Sequence, residues 1–321
     1  MFNISNSLYH YCSNDTFLNI IKNKTIRLSD VSKSNDYKET KWLFEYIGEE
    51  IIRQYKEHSF FGGQLIYGLD EATSLEFIVK SIKEKMLERS DELFYVACFS
   101  EEGDKLSQWR GYADDGYGLS IGFSIDSLKT LINKEESLKL LQVEYPEKNN
   151  NSSSEKIRKH SNDILQSVLH VITEGDTKKL FSKETYAMDV FHEMSSRIFI
   201  QDSIKYKNPS FKEEAEWRIV FDFELDKYTN WEDWYDEVED KSLLSGDMAV
   251  LFPNGLQFKA YRNKIVSFFD LSFKTCAKNI INEIIIGPKS DIQEGDIHQI
   301  LSYYGYEATD INIIKSKSTY R

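Results

Sequence analysis

Strands and helices follow one another in this chain without the regular alternation of a doubly wound sheet, which predicts an α+β fold with a mixed sheet at its core. The run LFYVACFS, Leu93 to Ser100, is almost continuously apolar and has the length of a buried strand. The run YGLSIGFS, Tyr117 to Ser124, alternates as a strand pairing next to it should. Two stretches of helical character, about 155–175 and 179–203, then precede the next strong strand, AEWRIVFDFEL. These runs predict a single domain over 1–321 with a helical insertion at about 153–205.

The remaining elements follow in chain order. LYHY is a short strand, and Ser13, Asn14 or Asp15 caps a helix reaching about Asn23 with Phe17, Leu18, Ile20 and Ile21 as its apolar stripe. TIRLSD is a strand. Trp42, Leu43, Tyr46, Ile47 and Ile51 recur at helical spacing until Gly62-Gly63 breaks the pattern, and a further helix is expected at about 70–88. The loop EEGDKLSQWRGYADDGYG contains a short helix. Asp126 begins another helix, LKLLQVEY is a strand, and the Asn- and Ser-rich stretch at 146–156 is a loop. The tail from Ile281 reads as strand, turn, capped helix, strand.

Composition narrows the function classes. A load of 20 Phe and 19 Tyr in 321 residues excludes a disordered chain. A net charge of −13 argues against a surface that tracks nucleic-acid phosphates, while leaving room for a small basic cleft. Cys12, Cys98 and Cys276 lie far apart and odd in number, which suits buried reduced thiols of a cytoplasmic protein and no zinc site. The first residues carry no basic region followed by an apolar run, and no run approaches a membrane span. Phosphate-binding glycine loops, a nucleophile elbow and a paired-histidine zinc motif are all missing from the sequence.

Three segments stand out as sites for chemistry. In LYHYCS, His10 sits on a strand between Tyr9 and Tyr11, either packed against a carbonyl or posted on a cleft wall. SQWRGYADDGYG places Trp109, Arg110, Tyr112 and Tyr117 in the connection between two buried strands, where rigid scaffolds carry binding groups. Its plainer reading has Trp109 covering the core and Arg110 paired with Asp114 or Asp115. In FKEEAEWRIVF, Glu216 and Arg218 share one strand face and Trp217 the other, so a salt bridge of Glu216 with Arg218 or with a lysine is the plain expectation.

Taken together, these segments with FKEEAEWRIV, INEIIIGP and SKSTYR resemble domain-of-unknown-function family 2971. The opening strand and FLNIIKNKTIRLS are similar, more distantly, to the first unit of the ADP-ribosyltransferase fold, especially its DNA-targeting toxins. That resemblance implies NAD as substrate and an ADP-ribosyl transfer to a macromolecular acceptor, by a toxin or phage-defence protein. His10 and Glu216 would be the catalytic pair facing one cleft. His10, Tyr11, Trp109, Arg110, Tyr112, Tyr117 and Arg218 would contact NAD, with the stacking aromatic open among Trp109, Tyr112 and Tyr117. A carboxylate suits this chemistry because breaking the nicotinamide–ribose bond develops positive charge.

Two rivals come from other classes. Glu213, Glu214, Glu216 and Asp114 or Asp115 would hold a metal in a nucleic-acid-processing effector. Alternatively, the protein is a non-catalytic sensor of a nucleotide or a partner. The acidic, Trp-rich stretch Trp231 to Lys241 is a candidate surface for a basic partner or a lid.

Overall fold

The computed structural model describes residues 6–31, 46, 48–50, 53, 93–147, 154–159, 161–162, 204–223, 247–261 and 264–320. Residues 46, 48–50 and 53 are helical, within the helix expected at about 36–57. The rest of that helix, the one expected at about 70–88, most of the insertion at about 153–205, and the acidic stretch Trp231 to Lys241 lie outside these residues. The chain divides into two compact units. One comprises Met1–Ser34, Leu93–Gln142 and Glu213–Arg321, and the other Asn35–Glu92 and Val143–Lys212.

In the first unit the elements run β1 (Ser7–Cys12), α1 (Asn14–Asn23), β2 (Thr25–Asp30), β3 (Leu93–Ser100), α2 (Leu106–Tyr112), β4 (Leu119–Ser124), α3 (Ile125–Ile132), β5 (Leu138–Gln142) and β6 (Glu216–Phe223). They continue with α4 (Asp247–Leu251), β7 (Leu256–Tyr261), β8 (Lys264–Ser272), β9 (Ile281–Ile286), α5 (Glu294–Tyr303) and β10 (Asn312–Lys315). The strands join in one mixed sheet of order β10-β9-β4-β1-β3-β2-β8-β7, with β6 on β3 and β5 on β6. Only β9 and β10 pair in parallel among the described strands; the right neighbour for β10 is reached through α5, the crossover that a parallel pair requires.

Local sequence explains most of these starts and stops. Ser13 caps α1 by accepting from the Thr16 N–H, and Lys24 closes it in the left-handed conformation, φ 56°. Ser124 caps α3 in the same way through the Ser127 N–H, so the helix begins at Ile125, one residue before the expected Asp126. Sequence reading assigns no element to residues 256–272, where the structure has the hairpin β7–β8. Phe269 and Leu271 of β8 enter the main core, but Phe258 and Ile265 at the turn end are 66% and 69% exposed, so the apolar pattern of the hairpin is broken and does not announce it.

The two faces of the sheet differ. One carries the main core: Leu8 and Cys12 of β1, Phe99 of β3 and Phe221 of β6 pack against Phe17 of α1 and Leu128 of α3. Fully burying a side chain of that size contributes about 1.5–3 kcal/mol. The other face, under α2, holds a smaller cluster of Tyr9, Tyr11, Trp109, Ala113 and Ile285.

In the second unit, Glu50 is buried and takes both Arg53 Nε, at 2.9 Å, and the Arg53 guanidinium terminus. Glu144 pairs by backbone with Lys205 and Lys207 across a parallel bridge to Tyr206.

Candidate functional site

Strand register decides which candidate side chains meet. Tyr9 stands opposite Ser100, and Ser100 stands opposite Glu216. Directly opposed residues share a face and neighbours along a strand do not. Tyr9, Ser100 and Glu216 are therefore on one face, and His10 is on the other. The expected convergence of His10 and Glu216 in one cleft does not occur. A parity of one residue, which spacing across 206 positions cannot convey, separates them.

His10 is instead a packed strand histidine. Its ring lies 5.7 Å from that of Phe99, and Nδ1 is 2.9 Å from the Cys98 carbonyl oxygen. A carbonyl only accepts, so Nδ1 carries the hydrogen. Desolvation outweighs that bond and holds the imidazole pKa below its ordinary 6.5.

Glu216 and Arg218 form the ion pair that strand alternation predicts. Arg218 Nε donates to Glu216 Oε1 at 2.7 Å and a terminal nitrogen donates to Oε2 at 3.2 Å. Both side chains are buried, 3% and 5% exposed. The residue before Glu216, Ala215, has φ 44°, which costs an L-residue without a polar side chain about 1–2 kcal/mol. Ala215 accepts the Glu101 N–H, and Ser100 Oγ donates to the Glu214 carbonyl, so the strained entry is tied to the end of β3. Trp217 points to the opposite face and donates its indole N–H to Glu101.

The aromatic candidates separate into two groups. Trp109 is fully enclosed, edge-on to Tyr11 at 4.9 Å, and cannot stack on a ligand. Its Nε1 donates to Asp104 at 2.7 Å. Tyr11 donates to the Glu102 carbonyl and accepts the Lys105 N–H, so it holds the loop that leads into α2. Burial raises the Tyr11 phenol well above its ordinary 10.0. By contrast, Tyr112 and Tyr117 are each 51% exposed, and Arg110 is exposed. Tyr112 reaches Glu214 Oε1 at 3.4 Å.

Between Tyr112 and Tyr117 the chain makes an unusual turn. Asp114, Asp115 and Gly116 have consecutive positive φ values of 50°, 53° and 91°. Aspartate tolerates this region better than most residues. Gly118 lets the turn meet the end of β1, and Gly287 lets it meet the end of β9: a Cβ on Gly118 would lie 2.1 Å from the Cys12 carbonyl oxygen, and one on Gly287 2.3 Å from that of Gly116. Lys289, just beyond β9, donates to Asp115 Oδ2 at 2.8 Å, and Tyr320 donates to Oδ1 at 2.7 Å. Lys289 chiefly, then Tyr320, holds the Asp115 carboxyl below its ordinary value; Asp115 in turn raises Lys289.

The outcome is a surface cluster of cations and tyrosines. Lys289 lies 4.0 Å from the centre of the Tyr320 ring and 5.6 Å from that of Tyr117, and Arg110 lies 5.7 Å from that of Tyr320. Among the described residues no carboxylate is hydrogen-bonded to Arg110; its charge helps hold the Asp115 carboxyl low, so the expected Arg110–aspartate pair is present as an attraction without a bond, beside the ring contact. Sequence reading picks out Arg110 and Tyr117 but assigns no role to Lys289, Tyr320 or Asp104. The quoted segments INEIIIGP and SKSTYR adjoin or contain the first two, which is the signal that was present.

Among the described residues no group of three or more His, Cys, Asp or Glu is placed to hold a metal ion. No described helix is long and apolar enough to cross a membrane. Cys12 is buried, with its thiol pushed up to about 12 by desolvation; Cys98 and Cys276 are half-buried, and no disulfide joins any two of the three.

The family model described as "Protein of unknown function (DUF2971)" matches residues 108–219, less than half of the chain. The matched segment opens in α2 and closes inside β6. It contains Trp109, Arg110, the positive-φ turn, Ala215, Glu216 and Arg218, and leaves out His10, Lys289 and Tyr320. No curated protein and no solved structure matches the chain.

Proposed function

We propose that this chain binds a nucleotide, NAD foremost, on the face formed by exposed Arg110 and Tyr117 with half-buried Lys289 and Tyr320. The observation that carries the reading is the meeting of two cations from distant parts of the chain at one tyrosine ring. A guanidinium forks onto phosphate oxygens, an ammonium adds a point charge, and tyrosine rings stack on a base. The face supplies all three groups. Positioning without bond cleavage, the sensor class, needs no further residue.

A second reading keeps the NAD-consuming transferase or glycohydrolase, with transfer to a macromolecular acceptor, and rests on Glu216. A buried carboxylate delivered by a strained Ala215 is the kind of feature that functional sites carry. His10 has no part in it. The loss of the His10–Glu216 cleft and the engagement of both Glu216 oxygens by Arg218 place this reading second.

Calorimetric titration with NAD, ADP-ribose and ATP tests the first reading, with free nicotinamide followed in the same samples. Binding weakened by Arg110→Ala, with no nicotinamide released, is the expected result. Absence of binding by all three ligands overturns it. Nicotinamide release that disappears in Glu216→Gln, at unchanged thermal stability, puts the transferase first.

A further inference from the structure

We propose that Asp104 is a positioning residue that clasps the segment Ser316–Tyr320 and thereby sets the Tyr320 ring in the nucleotide face; this rests on the binding reading above. Asp104 lies in the loop between β3 and α2. Its one carboxylate gathers donors from two distant stretches: Trp109 Nε1 at 2.7 Å and Ser316 Oγ at 2.5 Å on Oδ1, and the Lys317 N–H at 2.7 Å on Oδ2. Bonds to an ionised acceptor are the strong ones.

The clasped segment is stiffened from within. Ser316 Oγ accepts the Ser318 N–H and Ser318 Oγ accepts the Tyr320 N–H, so each serine fixes the backbone two residues on. The Ser316 N–H also donates to the Ile286 carbonyl, extending the parallel β9–β10 ladder by one residue. Tyr320 then closes the segment on Asp115, beside Lys289 and Arg110. The segment thus has three anchors, at Ile286, Asp104 and Asp115. Asp104 is the one that ties it to the helix carrying Arg110.

The consequence for binding is one of preorganisation. A ring already held against both cations needs no ordering when a ligand arrives, whereas a free segment would have to be ordered at that moment. Asp104 therefore acts on affinity without touching the ligand. If it served only to satisfy the Trp109 indole, its loss would disturb α2 and leave Tyr320 in place.

The test uses the full chain with 3-fluorotyrosine at position 320, as wild type, Asp104→Asn, Lys317→Pro and Tyr320→Ala (the last without label). Asp104→Asn removes an acceptor; Lys317→Pro removes the N–H donor on the segment side and leaves the Trp109 bond alone. Three readouts are taken: the fluorine resonance against a Lys289→Ala reference, the rate of subtilisin cleavage within 316–320, and NAD affinity. Both clasp variants are expected to move the resonance away from its wild-type position. Cleavage should be about tenfold faster, which is ~1.4 kcal/mol of opening. NAD affinity should fall by about the factor seen in Tyr320→Ala. An unmoved resonance in both variants overturns the clasp. A moved resonance with wild-type NAD affinity overturns the positioning role and leaves Asp104 structural. A wild type that binds no nucleotide overturns the reading of the face, and is told apart because fluorine and cleavage need no ligand.

Discussion

Glu216–Arg218, on the α2 side of the sheet, and Arg110–Lys289–Tyr320, beside α2, both join charges, yet one is closed and the other open. In the first, a carboxylate and a guanidinium are buried and doubly bonded to each other. In the second, the cations share an aromatic ring, Lys289 is paired with the exposed Asp115 at 2.8 Å, and Arg110 has no carboxylate bonded to it among the described residues. The difference is one of desolvation. A charge already removed from water must keep its partner, while a charge held at the surface by a ring can exchange solvent for a ligand. Buried pairs of this kind report on the fold, and open clusters report on what the fold presents.

The sharpest break of that contrast is Arg218→Ala. It strands the Glu216 carboxylate in the interior and is expected to cost about 3–5 kcal/mol in denaturant unfolding. The double change Glu216→Leu with Arg218→Met should recover most of that loss, since apolar residues of similar volume replace buried pairs at little cost. A double variant as unstable as the single one would show that the pair does more than satisfy itself.

Gly118→Ala comes next. Its new Cβ would sit 2.1 Å from the Cys12 carbonyl oxygen, a backbone atom that cannot swing away. A loss of about 1–3 kcal/mol is expected, with the turn at Asp114–Gly116 displaced. Gly111→Ala is the control, because nothing lies within reach of its Cβ and helix propensity favours alanine. Equal behaviour of the two variants in a melting experiment would remove the close approach as the reason for glycine at 118.

Much of the fold was legible because it is written locally. The Ser13 cap, the apolar run of β3, the alternation of β4 and the Glu216–Arg218 pair all follow from neighbours in sequence. The candidate site was legible only in pieces. Arg110 and Tyr117 were visible as charged and aromatic residues in a loop between buried strands, but Lys289 and Tyr320 reach them through sheet register. His10 was misplaced for the same reason: the residue type suits a cleft, and only the Tyr9–Ser100 pairing shows which way it faces. The β7–β8 hairpin escaped because only its β8 end, Phe269 and Leu271, is buried, while Phe258 and Ile265 at the turn end are exposed.

The open cluster predicts a smaller, ligand-dependent effect. Arg110→Ala should weaken NAD binding about tenfold, ~1.4 kcal/mol, and leave the melting temperature unchanged. Raising the salt concentration should weaken wild-type binding more than that of the variant, because the guanidinium's attraction to phosphate is screened. A variant with unaltered affinity and salt dependence would make the surface cluster a structural tie like the buried pair.

The smallest effect belongs to His10, where the main-core face is tested against the face under α2. Its folded pKa is depressed below 6.5 by desolvation. As pH falls through 6.5, the unfolded chain takes up a proton at this position that the folded chain refuses. Stability is therefore fully present above 6.5 and declines as pH drops toward the folded value, with a slope of at most about 1.4 kcal/mol per pH unit from this group. His10→Gln keeps a donor for the Cys98 carbonyl and removes the titration. The wild-type stability minus that of His10→Gln, measured by urea unfolding from pH 7.5 to 5.5, should shrink as the solution is acidified. NAD affinity at pH 7.5 should be the same for both proteins, because His10 faces away from Arg110 and Glu216. A flat difference would mean that the imidazole is not held neutral, and a loss of affinity would return His10 to the binding site from which strand register removes it.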